Sequence, residues 1–87
     1  MYMVTSVTAF RRALRLGSQW VVTRPLTGNQ WIKEVTHVGE GWITLMDYNL
    51  RYNTRFFYPV KEQCCFDGPI KIYNDEGTDY VTYKRIK

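Results

Sequence analysis

β-Branched and aromatic residues gather into short runs along this chain, each bounded by turn formers, and a single stretch near the start keeps a helical period instead. Three runs stand in the middle: Trp20 to Thr23, Trp31 to Val38 and Trp42 to Met46, with Gly28-Asn29 and Gly39-Glu40-Gly41 between them. Such runs read as strands joined in hairpins. The first, Gln19 to Arg24, must end at Pro25, which has no N–H for a sheet ladder. The second covers Gln30 to Val38 and the third Trp42 to Asp47. Tyr48 to Thr54 reads as a loop, and Arg55 to Tyr58 as a fourth strand stopped by Pro59. Residues 62–67 extend the sheet or form an irregular edge, and Asp67-Gly68-Pro69 is a turn. Ile70 to Tyr73 and Tyr80 to Arg85 form a last hairpin around Asn74-Asp75-Glu76-Gly77.

The helical period runs from Val7 to Leu16. Val7, Ala9, Phe10, Ala13, Leu14 and Leu16 fill one broad side, and Arg11, Arg12 and Arg15 take the remaining arc. Ser6 or Thr5 supplies the N-cap and Gly17 the terminator. A helix this short is marginal alone in water, so it must dock its apolar side on the strands. Five or six short strands and one helix predict a mainly β protein, an SH3-like antiparallel barrel. An open, strongly bent sheet covered by the helix is the alternative.

A chain of 87 residues allows one domain. Seven Tyr, four Phe and three Trp supply the buried area that so small a core needs. No apolar run approaches the ~20 residues that span a bilayer, and Met1 to Thr5 lacks a signal-peptide pattern. The expectation is a cytoplasmic protein with no membrane partner. Cys64 and Cys65 are adjacent, so in a strand they point to opposite faces as reduced thiols, one of them in the core.

Charge is uneven. Residues 1–33 hold Arg11, Arg12, Arg15, Arg24 and Lys33 and no carboxylate, whereas seven basic and eight acidic side chains follow. The field on the N-terminal side favours an anionic partner. Catalytic chemistry finds no footing. His37, the one histidine, lies in a strand without a nucleophile in a recognisable setting, and reads as a sheet histidine facing solvent or bonded locally. Asp67, Asp75, Glu76 and Asp79 fall in or beside turns, and Gly39-x-Gly41 precedes no helix. No catalytic residue, metal ligand or cofactor is expected. The binding candidates are Tyr48, Arg51, Tyr52 and Arg55, with the Arg11, Arg12 and Arg15 arc as an electrostatic flank. Trp20, Trp31 and Trp42 are read mainly as core residues.

Arg55-Phe56-Phe57-Tyr58-Pro59, then Phe66-Asp67-Gly68 and a closing Thr82-Tyr83, together with a short helix ending in Gly before the first Trp-containing strand, carry a resemblance. Here the chain resembles small accessory proteins encoded by bacteriophages and mobile elements. The resemblance covers about two thirds of the chain and brings no residue roles with it. It implies a setting in the host bacterial cytosol, and by analogy with other small proteins of that origin, which often block defence machines such as a CRISPR effector or a nuclease, an inhibitory role there. The functional expectation is a non-enzymatic protein that docks an Arg/Tyr surface on a protein or ribonucleoprotein. The alternative is a small nucleic-acid-binding module using the same surface.

Overall fold

In the computed structural model, which describes residues 4–87, the Ser6 hydroxyl accepts the backbone N–H of Ala9 and starts helix α1 (Val7–Ala13). The reading of residues 1–3 lies outside the described chain. Seven strands follow: β1 (Gln19–Arg24), β2 (Asn29–Val38), β3 (Trp42–Asp47), β4 (Asn53–Phe57), β5 (Cys64–Cys65), β6 (Ile70–Tyr73) and β7 (Tyr80–Arg85). A single 3-10 turn at Lys61–Gln63 precedes β5. The strands form one antiparallel sheet in the order β4-β3-β2-β1-β7-β6-β5. Two meanders, β1 to β4 and β5 to β7, are thus joined where β1 meets β7. The end strands β4 and β5 do not pair with each other, so the sheet curls as a half-barrel and stays open. The mainly β class is the predicted one, in its open and bent form. The seventh strand is the two-residue β5, within the segment that sequence left between sheet and irregular edge. No helix among the described residues is long and apolar enough to cross a membrane.

The inner face of the sheet carries Trp20, Val22, Val35, Ile43, Leu45, Ile72 and Tyr83, all buried, and α1 adds Phe10 and its C-cap Leu14. Phe10 meets the edges of Trp20 and Tyr83, with ring centroids 5.8 and 5.5 Å apart. Seven helical residues would not hold together in water. Burial of Phe10 and Leu14, about 1.5–3 kcal/mol each, outweighs that deficit. Trp20 needs a partner for its indole N–H, and the buried Ser18 hydroxyl accepts it at 3.0 Å. Ser18 in turn donates to the Arg15 carbonyl at 2.6 Å.

This arrangement shortens the helix. Ser18 is already paired with β2, its carbonyl accepting the Val35 N–H at 3.0 Å, so the chain leaves the helix at Leu14 and turns through Gly17 at φ 85°. Leu16, expected on the apolar side, is consequently 67% exposed.

Strands β1, β3, β6 and β7 have the predicted bounds, and β2 begins one residue early, at Asn29. The fourth strand is displaced: it spans Asn53–Phe57, not Arg55 to Tyr58. The cause is Asp47. Its carboxylate accepts the N–H groups of Asn49 and Leu50 at 2.8 and 2.9 Å, and Arg51, at φ 55°, donates its N–H to the Asp47 carbonyl. The expected loop therefore closes within Tyr48 to Tyr52, and pairing with β3 resumes at Asn53.

Candidate functional site

Simple alternation along β2 would place His37 on the same face as Val35, toward the core. A β-bulge prevents it. Val35 opposes Leu45, His37 opposes Thr44, and Thr36 has no opposite residue. The extra residue turns His37 to the outer face, where its ring stacks on Trp42 with centroids 5.2 Å apart and planes 27° from parallel. Trp42 itself opens β3, whose alternate residues Ile43, Leu45 and Asp47 are buried, so Trp42, Thr44 and Met46 face outward. Its expected core role is corrected on that ground. Trp20 is fully buried, Trp31 packs half-buried against the core, and Trp42 lies half-buried on the outside.

Arg55 completes the stack. It opposes Thr44 on β4, and its guanidinium carbon lies 4.3 Å from the Trp42 ring centroid. Phe57, directly opposite Trp42, is 63% exposed beside them. The hairpin holds the ring from below: Gly39 N–H donates to the Trp42 carbonyl at 2.9 Å, and a Cβ on Gly39 would run into the indole. His37, Trp42, Arg55 and Phe57 thus form an outward-facing platform at one end of the sheet.

The structure distributes the predicted candidates over three places. Arg55 is on the platform. Arg51 and Tyr52 are exposed in the β3–β4 turn. Tyr48 reaches the other way, across β2 to β1, where its hydroxyl donates to the Glu34 carboxylate at 2.6 Å and accepts from the Gln19 amide at 2.7 Å. That bond holds the Glu34 carboxyl below its usual range and raises the Tyr48 hydroxyl above its own. The four residues adjacent in sequence are therefore not one cluster, because Tyr48 is committed to a polar tie on a different pair of strands. Arg11 and Arg12 are exposed on α1, and Arg15 is exposed just past its end. Arg11 lies over the Tyr58 ring at 5.2 Å, immediately after β4. The β4 end of the sheet accordingly has an arginine on an aromatic ring at each face.

Other charged groups are placed apart. Arg24, counted in the basic N-terminal half, is bound by Asp79 at 2.7 Å, which keeps the Asp79 carboxyl below its ordinary value. No carboxylate pairs with Arg55 among the described residues, and the chain from Tyr48 to Lys61 contains none. Cys64 opposes the buried Ile72 and packs against the core, while Cys65 opposes Lys71. Both thiols are free and half-buried, and partial burial pushes the Cys64 thiol up. Among the described residues, no group of three His, Cys, Asp or Glu side chains is placed to hold a metal ion. A surface groove between Val4, Val21, Phe66, Pro69 and Ile86 holds none of the candidate residues.

Compared with protein-family models, curated proteins and solved structures, the chain matches none.

Sequence reasoning read His37 as a strand histidine facing solvent, as it is, but did not bring it together with Trp42 and Phe57. A Trp directly after the Gly39-Glu40-Gly41 turn was visible, but its face depends on where β3 starts its alternation. The side on which His37 emerges depends on the bulge, and β-branched Val35 and Thr36 give no local sign of one.

Proposed function

We propose that this chain is a non-enzymatic binding protein that docks an Arg/aromatic surface on a protein or ribonucleoprotein partner. The observation that carries the reading is the platform of His37, Trp42 and Arg55, with Phe57 exposed at its side. Trp and Arg are the residue types that dominate binding energy at interfaces, since they combine large area with directional polar groups. Arg55 is already held over a ring, so less side-chain freedom is lost when a partner arrives. Its charge is also uncompensated by any described carboxylate, which suits an acidic counterpart. The resemblance to phage and mobile-element proteins suggests a host defence complex as that partner, in the manner of an anti-CRISPR protein.

A stacked guanidinium and indole also present the flat surfaces on which nucleobases stack, which favours nucleic acid as the second reading. One experiment separates the two. The partner is isolated from bacterial host lysate with the tagged protein, identified by mass spectrometry, and titrated with variants at two salt concentrations. For a protein hot spot, Arg55→Ala costs about 2 kcal/mol or more of affinity, and Arg11→Ala, Arg12→Ala and Arg15→Ala act mainly on association rate. For nucleic acid, each Arg→Ala weakens binding to any sequence similarly and lowers the salt slope by about one. Wild-type affinity in the combined Tyr52→Ala, Arg55→Ala variant, folded by chemical shifts, removes this surface from consideration.

A further inference from the structure

The two edges of the sheet are built differently. β5 offers only Cys64 and Cys65, between a 3-10 turn and the Asp67-Gly68-Pro69 bend, so that edge is short and interrupted. β4 pairs with β3 over five residues without a bulge, it contains neither Pro nor Lys, and its one charge, Arg55, is drawn back over the Trp42 ring rather than left on the rim. The direction of its main chain follows from two bonds. Tyr58 N–H donates to the Gly41 carbonyl at 3.2 Å, and Asp47 N–H donates to the Tyr52 carbonyl at 3.1 Å. Tyr52, Thr54, Phe56 and Tyr58 therefore turn their main-chain groups toward β3, and Asn53, Arg55 and Phe57 turn theirs outward. Among the described residues no main-chain group meets those three.

We propose that β4 is a strand-accepting edge, and that the partner supplies an extended segment whose carboxylate side chain lies opposite Arg55. The proposal rests on the binding reading above and deepens it by giving the partner segment a conformation and a charge. Its charge follows from the surroundings: Arg55 stands on the outer face and Arg11 beside Tyr58 on the inner, and the chain from Tyr48 to Lys61 holds Arg51, Arg55 and Lys61 with no carboxylate. Phe57, 63% exposed, gives the incoming strand an apolar neighbour two residues away on the same face. A second copy of this chain is a poor occupant. Antiparallel self-pairing over all five residues puts Arg55 opposite Arg55, and like charges directly opposite one another destabilise a ladder.

The test uses two synthetic seven-residue peptides of alternating Thr and Val, one with a central Glu and one with a central Lys, titrated into the full ¹⁵N-labelled chain. The outward amides of Asn53, Arg55 and Phe57 exchange quickly with solvent in the free protein and become protected as the Glu peptide binds. The Glu peptide binds about fivefold more tightly than the Lys peptide. Arg55→Ala removes that preference and leaves the protection. Asn53→Pro deletes an outward N–H without touching the β3 ladder, and it abolishes protection while the fold is retained. Unprotected amides at about 1 mM Glu peptide overturn the proposal, and equal affinity for the two peptides overturns its charge assignment. Protection that rises with protein concentration alone overturns it in favour of self-pairing. Shifts at Trp42 and Arg55 on adding an oligo-dT strand, with the amides unprotected, overturn it while leaving the platform as a binding surface. If Arg55→Ala leaves affinity for the isolated partner unchanged, the binding reading falls instead, whatever the peptides do.

Discussion

Ser18→Ala tests how the buried polar link between helix and sheet works. The hydroxyl does two things: it accepts the Trp20 indole N–H at 3.0 Å and donates to the Arg15 carbonyl at 2.6 Å. These two losses are unequal. The Arg15 carbonyl keeps a second donor, the Ser18 backbone N–H at 3.0 Å, so it remains satisfied in the variant. The indole N–H of Trp20, whose side chain is fully buried, keeps nothing. An orphaned buried donor costs about 1–3 kcal/mol, and the lost carbonyl bond adds a few tenths, so the expected destabilisation is about 2 kcal/mol. For a domain of this size that lowers Tm by about 8–16 °C. Urea titration followed by tryptophan emission gives the free energy, and Trp20→Phe supplies the control, since a Phe at this position has no N–H to orphan. In that background Ser18→Ala costs less than about 0.7 kcal/mol. An equal cost in both backgrounds, or a loss under about 0.5 kcal/mol in the natural one, refutes the assignment of the hydroxyl to Trp20.

Glu34 and Asp79 are held below their ordinary values by Tyr48 and Arg24 respectively, so each stabilises the fold above the ordinary carboxylate range, and the gain is lost as pH falls through the folded value. Stability measured by urea between about pH 5 and pH 2 falls less steeply in Glu34→Gln and Asp79→Asn. On the alkaline side Tyr48 and Tyr83 are raised, Tyr48 chiefly by its bond to Glu34 and Tyr83 by burial; stability present below about pH 10 declines above it, and Tyr83→Phe flattens that limb. Gly39→Ala forces the Trp42 ring aside, costing about 1–3 kcal/mol and shifting Trp42 emission. Gly41→Ala meets open space at φ 81°, costs about 1–2 kcal/mol in backbone strain and leaves the emission unchanged. In the Cys65→Ser background, burial keeps Cys64 protonated at pH 8, and its alkylation, timed by mass spectrometry, is slower than that of a free cysteine peptide.

What could be read from the sequence was local. Trp42 to Asp47 and Tyr80 to Arg85 announced themselves because side-chain type and the flanking turn residues agree within a few positions. The helix cap at Ser6 was equally local, whereas the helix end was not: it is set by Ser18 pairing with Val35, seventeen positions on. Asp47 moved the start of β4 by folding its carboxylate over the next turn, a contact that an ordinary strand-end Asp does not advertise. The open rim is likewise a property of the whole sheet, since no residue of β4 or β5 states that the two fail to meet. For the candidate site, Arg55 was identified from its own type and neighbours, but the ring beneath it comes from β3 through register. Tyr48 carried the same composition signal and was taken up by Glu34 and Gln19.

The unpaired Thr36 makes the outer surface of β2 a matter of counting. From Asn29 to Val35 the two faces follow one parity, and from His37 onward they follow the other. Drawing Thr36 into the ladder opposite Thr44 would leave every side chain chemically intact and still send the imidazole inward and Val38 outward, whereas deleting Thr36 would leave His37 opposite Thr44 and Val38 opposite Ile43. Register, as much as residue identity, then decides what this surface displays. A single-residue insertion or deletion between Asn29 and Glu34 would put the β1 and β3 ladders one step out of phase, whereas loss of Thr36 alone would leave the ladder with β1, which ends at Gln19 opposite Glu34, in place.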